Sequence, residues 1–173
     1  MKIALSGTPG VGKSNVADIL ERMGYEVVRV EKIAHEFVVG YDSERHSKII
    51  DEGALDTYIK KLRVQNILIV EGHVSHLLSV DHVILLRCHP EELRVRLMNK
   101  GWHEKKIMEN LMAEALDVIL QRALETHKRI WEIDTTKTDA QNVAEKIDEI
   151  VKTLPPPCYG QVDWSKWIED YAR

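Results

Sequence analysis

Eight residues near the N-terminus, GTPGVGKS at 7–14, constrain the fold more than any other feature of the chain. They have the spacing G-x-x-x-x-G-K-S, with Gly7, Gly12, Lys13 and Ser14 in the defining places and Gly10 between them. Glycine is required where backbone must approach a phosphate closely and turn its N–H groups inward. Lys13 is then set to pair with β- and γ-phosphates, and the Ser14 hydroxyl to bind Mg²⁺. The motif follows an apolar run, Ile3-Ala4-Leu5, that reads as a buried parallel strand. It opens a helical pattern, Val16, Ile19, Leu20 and Met23, stopped at Gly24. The start of such a helix adds free N–H groups and the positive end of its dipole. Something phosphorylated binds here. Whether the phosphate passes to a second nucleotide, to a metabolite or to water, or only drives a change of shape, the loop does not say.

The rest of the chain repeats strand–helix alternation. Val27-Val28-Arg29-Val30, Ile67-Leu68-Ile69-Val70, Val83-Ile84-Leu85-Leu86 and residues 129–134 read as strands. Residues 31–38 and 54–63 read as helical, and 104–127 as one long helical pattern. The polar stretch 40–53, with two glycines, reads as a mobile loop or small insert. Pro90 suits the first turn of a helix carrying Leu93, Leu97 and Met98, which Gly101 ends. Val143, Ile147, Ile150 and Val151 mark a final core helix, and after a triple proline Val162, Trp164, Trp167 and Ile168 suggest a short appended one. This alternation predicts one three-layer α/β domain with a parallel sheet, which 173 residues and a hydrophobic fraction of 44% can fill. Ligands of such sheets bind at the carboxyl ends of strands. Gly7, Glu71 and Arg87 all fall there.

The net charge of −4 gives no global nucleic-acid signature. Its distribution is uneven, however. Residues 31–56 hold Glu31, Glu36, Asp42, Glu44, Asp51, Glu52 and Asp56 against Lys32, Arg45 and Lys48, a face suited to a cationic partner. Residues 87–106 hold Arg87, Arg94, Arg96, Lys100, Lys105 and Lys106, a face suited to phosphates. Both can equally be plain solvated surfaces. Cys88 and Cys158 form neither a disulfide framework nor a zinc set, which fits a reducing cytoplasm. No apolar run reaches the roughly 20 residues of a membrane span, and the strand pattern at the N-terminus leaves no room for a signal peptide.

Glu71 ends an apolar strand where an acid commonly orients Mg²⁺ or its waters. His73 is a candidate to hold a water or contact phosphate, or is a structural histidine. His73 and His76 invite a zinc reading that lacks a third ligand. The segment NKGWHEKKIMEN reads as a short lid, with Lys100, Lys105 and Lys106 to close over phosphates and Trp102 to stack near a base. The other reading is a helix–helix loop with solvated lysines.

Four stretches, GTPGVGKS (7–14), VEGH (70–73), LLRC (85–88) and KGWHEKKIMENLMAE (100–114), together resemble the adenylate kinase isoenzyme 6 family over roughly residues 1–150. The resemblance implies a P-loop nucleoside monophosphate kinase fold with a five-stranded parallel sheet in residues 1–154. A monophosphate-binding insert at about 31–52, a short lid at about 99–109 and a C-terminal tail with a short helix at 155–173 complete it. It implies ATP and Mg²⁺ as cofactors. Nucleotide contacts fall to Gly7, Gly10, Val11, Gly12, Lys13, Ser14, Asn15, Arg87, Arg96 and Lys100, metal contacts to Ser14 and Glu71, and catalysis to Lys13, Glu71 and His73. Family members transfer phosphate from ATP to AMP, hydrolyse ATP, bind a small-subunit ribosomal protein of the S11 family, and act in maturation of 16S or 18S rRNA. A monomer that touches pre-ribosomal RNA is part of that expectation. The chain departs at Glu71 for aspartate, Lys100 for the usual lid arginine, and His35 where an arginine is common. Lysine cannot make a bidentate fork to phosphate, so hydrolysis becomes a serious rival to transfer. The VDWSKW tail resembles archaeal members. Two other classes stand beside this one. One is an ATP-gated binding module for a basic ribosomal protein, motivated by the acidic 31–56 segment. The other is a small-metabolite kinase, which shares the glycine loop but not the GWHEKK lid.

Overall fold

A computed structural model describes residues 1–43, 47–127 and 129–171; Glu44 and Arg45 of the charged segment lie outside the described residues. Five parallel strands form the central sheet: β1 (Lys2–Ser6), β2 (Glu26–Arg29), β5 (Leu68–Glu71), β6 (His82–Arg87) and β7 (Ile130–Asp134), in the order β2-β5-β1-β6-β7. The register sets Leu5 beside Glu71 and Ser6 beside Leu85. The inner strands are almost continuously buried, as a sheet covered on both faces demands.

Side chains alternate between two apolar layers, the period-two consequence of the pleat. Ile3, Leu5, Ile69, Ile84 and Leu86 point to one face. There they meet α1 (Lys13–Arg22), α4 (Pro90–Asn99), α5 (Glu104–Ala115) and α7 (Ala140–Thr153). Ala4, Val83 and Leu85 join Leu120 and Ala123 of α6 (Val118–Thr126) on the other face. Leu68 and Val70 join Leu55 and Ile59 of α3 (Glu52–Lys61) on that same side. Helix–sheet–helix layering follows directly.

Three sequence expectations need correction. Residues 31–38 are not one helix: α2 (Val30–Ile33) gives way to a 3-10 turn over Ala34–Phe37. The expected polar loop is instead bounded by two antiparallel strands, β3 (Val38–Asp42) and β4 (Ser47–Ile50), with a register shift between Val38 and Gly40. Most apolar residues of these two strands are exposed, Val39 at 67% and Tyr41 at 59%, while Ile50 packs against the core, so no continuous buried face imposes an alternating pattern. The long pattern 104–127 breaks into α5 and α6 at Asp117, which adopts a left-handed φ of 55°. Its carboxylate is drawn to Arg87, and the apolar periodicity runs on across the break.

Beyond α7 the chain returns along the free edge of β7. Cys158 N–H donates to Ile130 O at 3.1 Å, and Glu132 N–H donates to Cys158 O at 2.9 Å. The last helix, α8 (Ser165–Tyr171), buries Trp167, whose indole N–H donates to Glu91 of α4. No helix among the described residues is long and apolar enough to cross a membrane.

Candidate phosphate-binding site

The glycine loop leaves the middle strand, with the ends of β5 and β6 on either side. A Cβ on Gly7 would lie 2.5 Å from the Leu86 carbonyl oxygen and 2.9 Å from Val11 Cγ2, so a side chain has no room there. Gly12 has open space around it; its φ of 108° is what calls for glycine. It caps α1 without any side-chain hydrogen bond, and the first turn holds no acid, which leaves N–H groups for an anion. Gly10 sits against Leu93 and Leu97 of α4. Val11 turns fully into the core, and Asn15 faces solvent on α1.

Lys13 is buried and curls over the loop, donating to Gly7 O at 2.7 Å and Thr8 O at 3.1 Å. Burial lowers its pKa to about 8, and the charge of Lys100 adds to this, while Glu71, Glu114 and Glu31 oppose it. Ser14 Oγ donates to Glu71 Oε1 at 3.4 Å. The Glu71 carboxyl is itself buried, and burial holds its pKa above the usual carboxylate range against the pull of Lys13, the Ser14 hydrogen bond and Arg29. A hydroxyl and a carboxylate are hard oxygen donors of the kind Mg²⁺ takes, and a cation would relieve the buried charge. Among the described residues no group of three or more His, Cys, Asp or Glu could enclose a metal. Two protein donors suit an ion that keeps its waters and shares phosphate oxygens.

His73 follows Glu71 with an accessible ring, held toward the neutral form by crowding and by the nearby charges of Lys13 and Lys106. His76 instead turns inward, its Nδ1 2.9 Å from Ser6 Oγ, so the zinc pair does not assemble. Lys100 and Lys106 stand on the arms of the turn between α4 and α5, where Gly101 takes a φ of 73°. Lys106 Nζ lies over the Trp102 ring, 4.3 Å from its centroid. An Arg94–Glu104 pair staples the two helices below the turn. His35 spends a ring nitrogen on the Lys32 carbonyl at 2.8 Å.

Two expected phosphate contacts are engaged by protein groups. Arg87 is 2% exposed, and its guanidinium is taken by Glu114, Asp117 and Glu132, so it is a core ion-pair hub. Arg96 donates to Glu92 at 2.9 Å, Thr135 O at 2.9 Å and Val11 O at 3.4 Å. It props the loop from behind. The residues missed are Thr8, Glu31, Glu114 and Thr135. Of these Glu114 carried a readable signal: an acid standing in the stripe Ile107, Leu111, Glu114, Ala115, where a helix shows apolar residues to the core.

A parallel sheet whose middle strand runs through a glycine loop into a helix, with Lys13, Ser14 and Glu71 gathered at its carboxyl edge, defines a P-loop protein of the nucleoside monophosphate kinase fold. Solved structures of this shape include a shikimate kinase from Bacteroides thetaiotaomicron, with a TM-score of 0.56 at 15% identity over 88% of this chain and 98% of that one. YorR from Bacillus subtilis, solved in complex with phosphorylated GDP, aligns with a TM-score of 0.59 at 18% identity over 88% of this chain and 96% of that one. Such likenesses speak to the fold alone. Residues 3–117 match the AAA domain family. Archaeal relatives extend over nearly the whole length. A "Putative adenylate kinase" of Archaeoglobus fulgidus is 42% identical over 98% of this chain and 95% of its own. Its namesake in Methanocaldococcus jannaschii is 37% identical over 99% and 97%. The chain belongs to this adenylate kinase-like family of archaeal P-loop proteins.

Proposed function

We propose that the protein is an adenylate kinase of the isoenzyme 6 type, moving the γ-phosphoryl group of MgATP to AMP, with hydrolysis as its second outcome. The observation that carries this is Lys13 folded over the loop beside the Ser14–Glu71 pair, with Lys100 and Lys106 bringing positive charge from across the cleft. Lys13 Nζ exchanges the Gly7 and Thr8 carbonyls for phosphate oxygens, keeping two acceptors' worth of pairing while gaining an opposite charge. Ser14 and Glu71 would hold Mg²⁺, which would supply positive charge to offset that of the phosphates. His73, accessible and held toward the neutral form, orients the acceptor or a water by hydrogen bonding. The segment at about 99–109, the turn and the first residues of α5, acts as the lid: its lysines balance charge that develops in transfer and help exclude water. The segment at 31–52 receives the monophosphate.

A second reading has its own support. Val39, Tyr41 and Ile49 are each exposed on the outer strands β3 and β4, Tyr41 opposite Lys48 and Ile49 opposite Gly40, in a segment that also holds the acids Glu36, Asp42 and Asp51. Exposed apolar side chains on an acidic segment suit a protein partner, and the sign of the segment suits a basic one. Under this reading ATP turnover gates release of a small-subunit ribosomal protein of the S11 family during rRNA maturation.

One assay separates the two. The protein is given MgATP alone, with AMP, or with the purified ribosomal protein, and ADP and free phosphate are followed. Transfer gives ADP without phosphate, only when AMP is present. Phosphate release that ignores AMP and rises with the ribosomal protein sinks the kinase reading. Lys13→Ala is expected to lose at least about a hundredfold in either activity, the scale for removing a positioned charge from a transition state. Retention of activity in this variant would refute the site.

A further inference from the structure

The glycine loop is tied to the body of the protein through one side chain that the proposed chemistry does not use. Thr8 is 1% exposed, and its Oγ1 donates to Glu114 Oε2 at 2.5 Å. Glu114 is 3% exposed and lies near the end of α5, the helix that leaves the lysine-bearing turn. Its other oxygen accepts from Arg87 Nε at 2.8 Å and from Cys88 N–H at 3.1 Å. Arg87 in turn grips Asp117 at the α5–α6 break and Glu132 on β7, and Glu132 accepts the Gly160 N–H of the C-terminal segment. The same threonine offers its carbonyl to Lys13 Nζ and to Val11 N–H. Thr8 is therefore the point where the loop, its lysine and α5 meet.

We propose that Glu114 is a positioning residue for the phosphate-binding loop, acting through the Thr8 hydroxyl, and that it ties the loop's shape to the placement of α5. A glycine-rich loop has little of its own to hold it in one conformation. The far side is held at Val11, whose carbonyl shares the Thr135 hydroxyl with that of Arg87 (2.8 and 2.9 Å). The near side has the carboxylate. A hydrogen bond to a charged, buried acceptor is among the stronger ones and is directional. It fixes the Thr8 peptide, and with it the backbone a phosphate must meet. The inference rests on the reading that MgATP occupies this loop.

The test is equilibrium binding of MgATP, by calorimetry below the melting temperature of every protein compared. Thr8→Val keeps the side-chain shape and removes the donor. It is expected to weaken MgATP about tenfold, the value of one lost hydrogen bond. Thr8→Ser restores the hydroxyl and is expected to bind within about twofold of the parent. Leu120→Ala, a cavity in the α6 layer far from the loop, lowers stability without touching it and is expected to leave affinity unchanged. Parent-like binding by Thr8→Val, or an equal loss in Thr8→Val and Leu120→Ala, overturns the positioning role. Failure of the parent itself to bind MgATP overturns the site reading, and this inference falls with it.

Discussion

Lys13 carries a charge into surroundings that resist it. In the unfolded chain its ammonium titrates at the ordinary 10.5; burial, with Lys100 nearby, brings it to about 8 in the fold. Below that value both states hold the proton and the native state bears the full cost of the buried charge. Between the two values the unfolded chain binds more protons, so this group's share of stability rises with pH across the window. Phosphate reverses the bias by placing anions beside Nζ. MgATP binding at about pH 8.5 is therefore expected to take up a proton, and titrations in two buffers of different ionisation enthalpy measure it directly. Lys13→Arg, always charged, should show none. Equal heats in both buffers for the parent would refute the shift. Lys13, Ser14 and Glu71 could be read from the chain because motif spacing and strand ends determine where their Cα atoms stand. Arg87 was read by the same rule. A strand end says where a residue emerges, not where a long side chain turns, and its partners Glu114, Asp117 and Glu132 come from elements 27 to 45 residues away.

At the scale of elements, apolar period was informative wherever a face is buried and silent where none is. The inner strands and the stripe Val143, Ala144, Ile147, Ile150, Val151 of α7 declared themselves. The outer strands β3 and β4 did not, since Val39, Tyr41 and Ile49 pack against no core. Some helix starts rest on identifiable side-chain caps. Asp139 accepts from Asn142 N–H at 2.8 Å at the start of α7, and Asp51 accepts from Ala54 N–H at 2.9 Å at the start of α3. Asp139→Ala should cost about 1 kcal/mol, lowering the melting temperature by roughly 2–4 °C for a chain of this size, as a thermal scan would show. No change would mean that water satisfies the orphan N–H equally well.

For the molecule as a whole, the tail is woven into the domain. The sequence suggested a short helix carrying Val162, Trp164, Trp167 and Ile168; α8 spans Ser165–Tyr171 and leaves Val162 and Trp164 ahead of it. Its place on the domain was not readable, because the groups that receive it are scattered through the chain. Trp131 Nε1 donates to Pro156 O at 3.2 Å, Trp164 meets His89 edge-on with ring centroids 4.9 Å apart, and Trp167 stacks on Tyr171. A chain lacking 155–173 loses the edge pairing of β7 and the burial of Trp167, together about 3 kcal/mol, so its melting temperature should fall by roughly 6–12 °C. The uncovered edge should also promote self-association, visible by light scattering. A truncated chain that melts with the parent and matches it in light scattering would make the tail a mere appendage.

The central claim concerns the fate of one phosphoryl group, and label tracing reads it most directly. ATP labelled in its γ-phosphate is mixed with Mg²⁺, AMP and the protein, and products are separated within a single turnover. The account expects the label in the β-position of ADP newly made from AMP. Label found only in free phosphate, in the same amount with or without AMP, would contradict it.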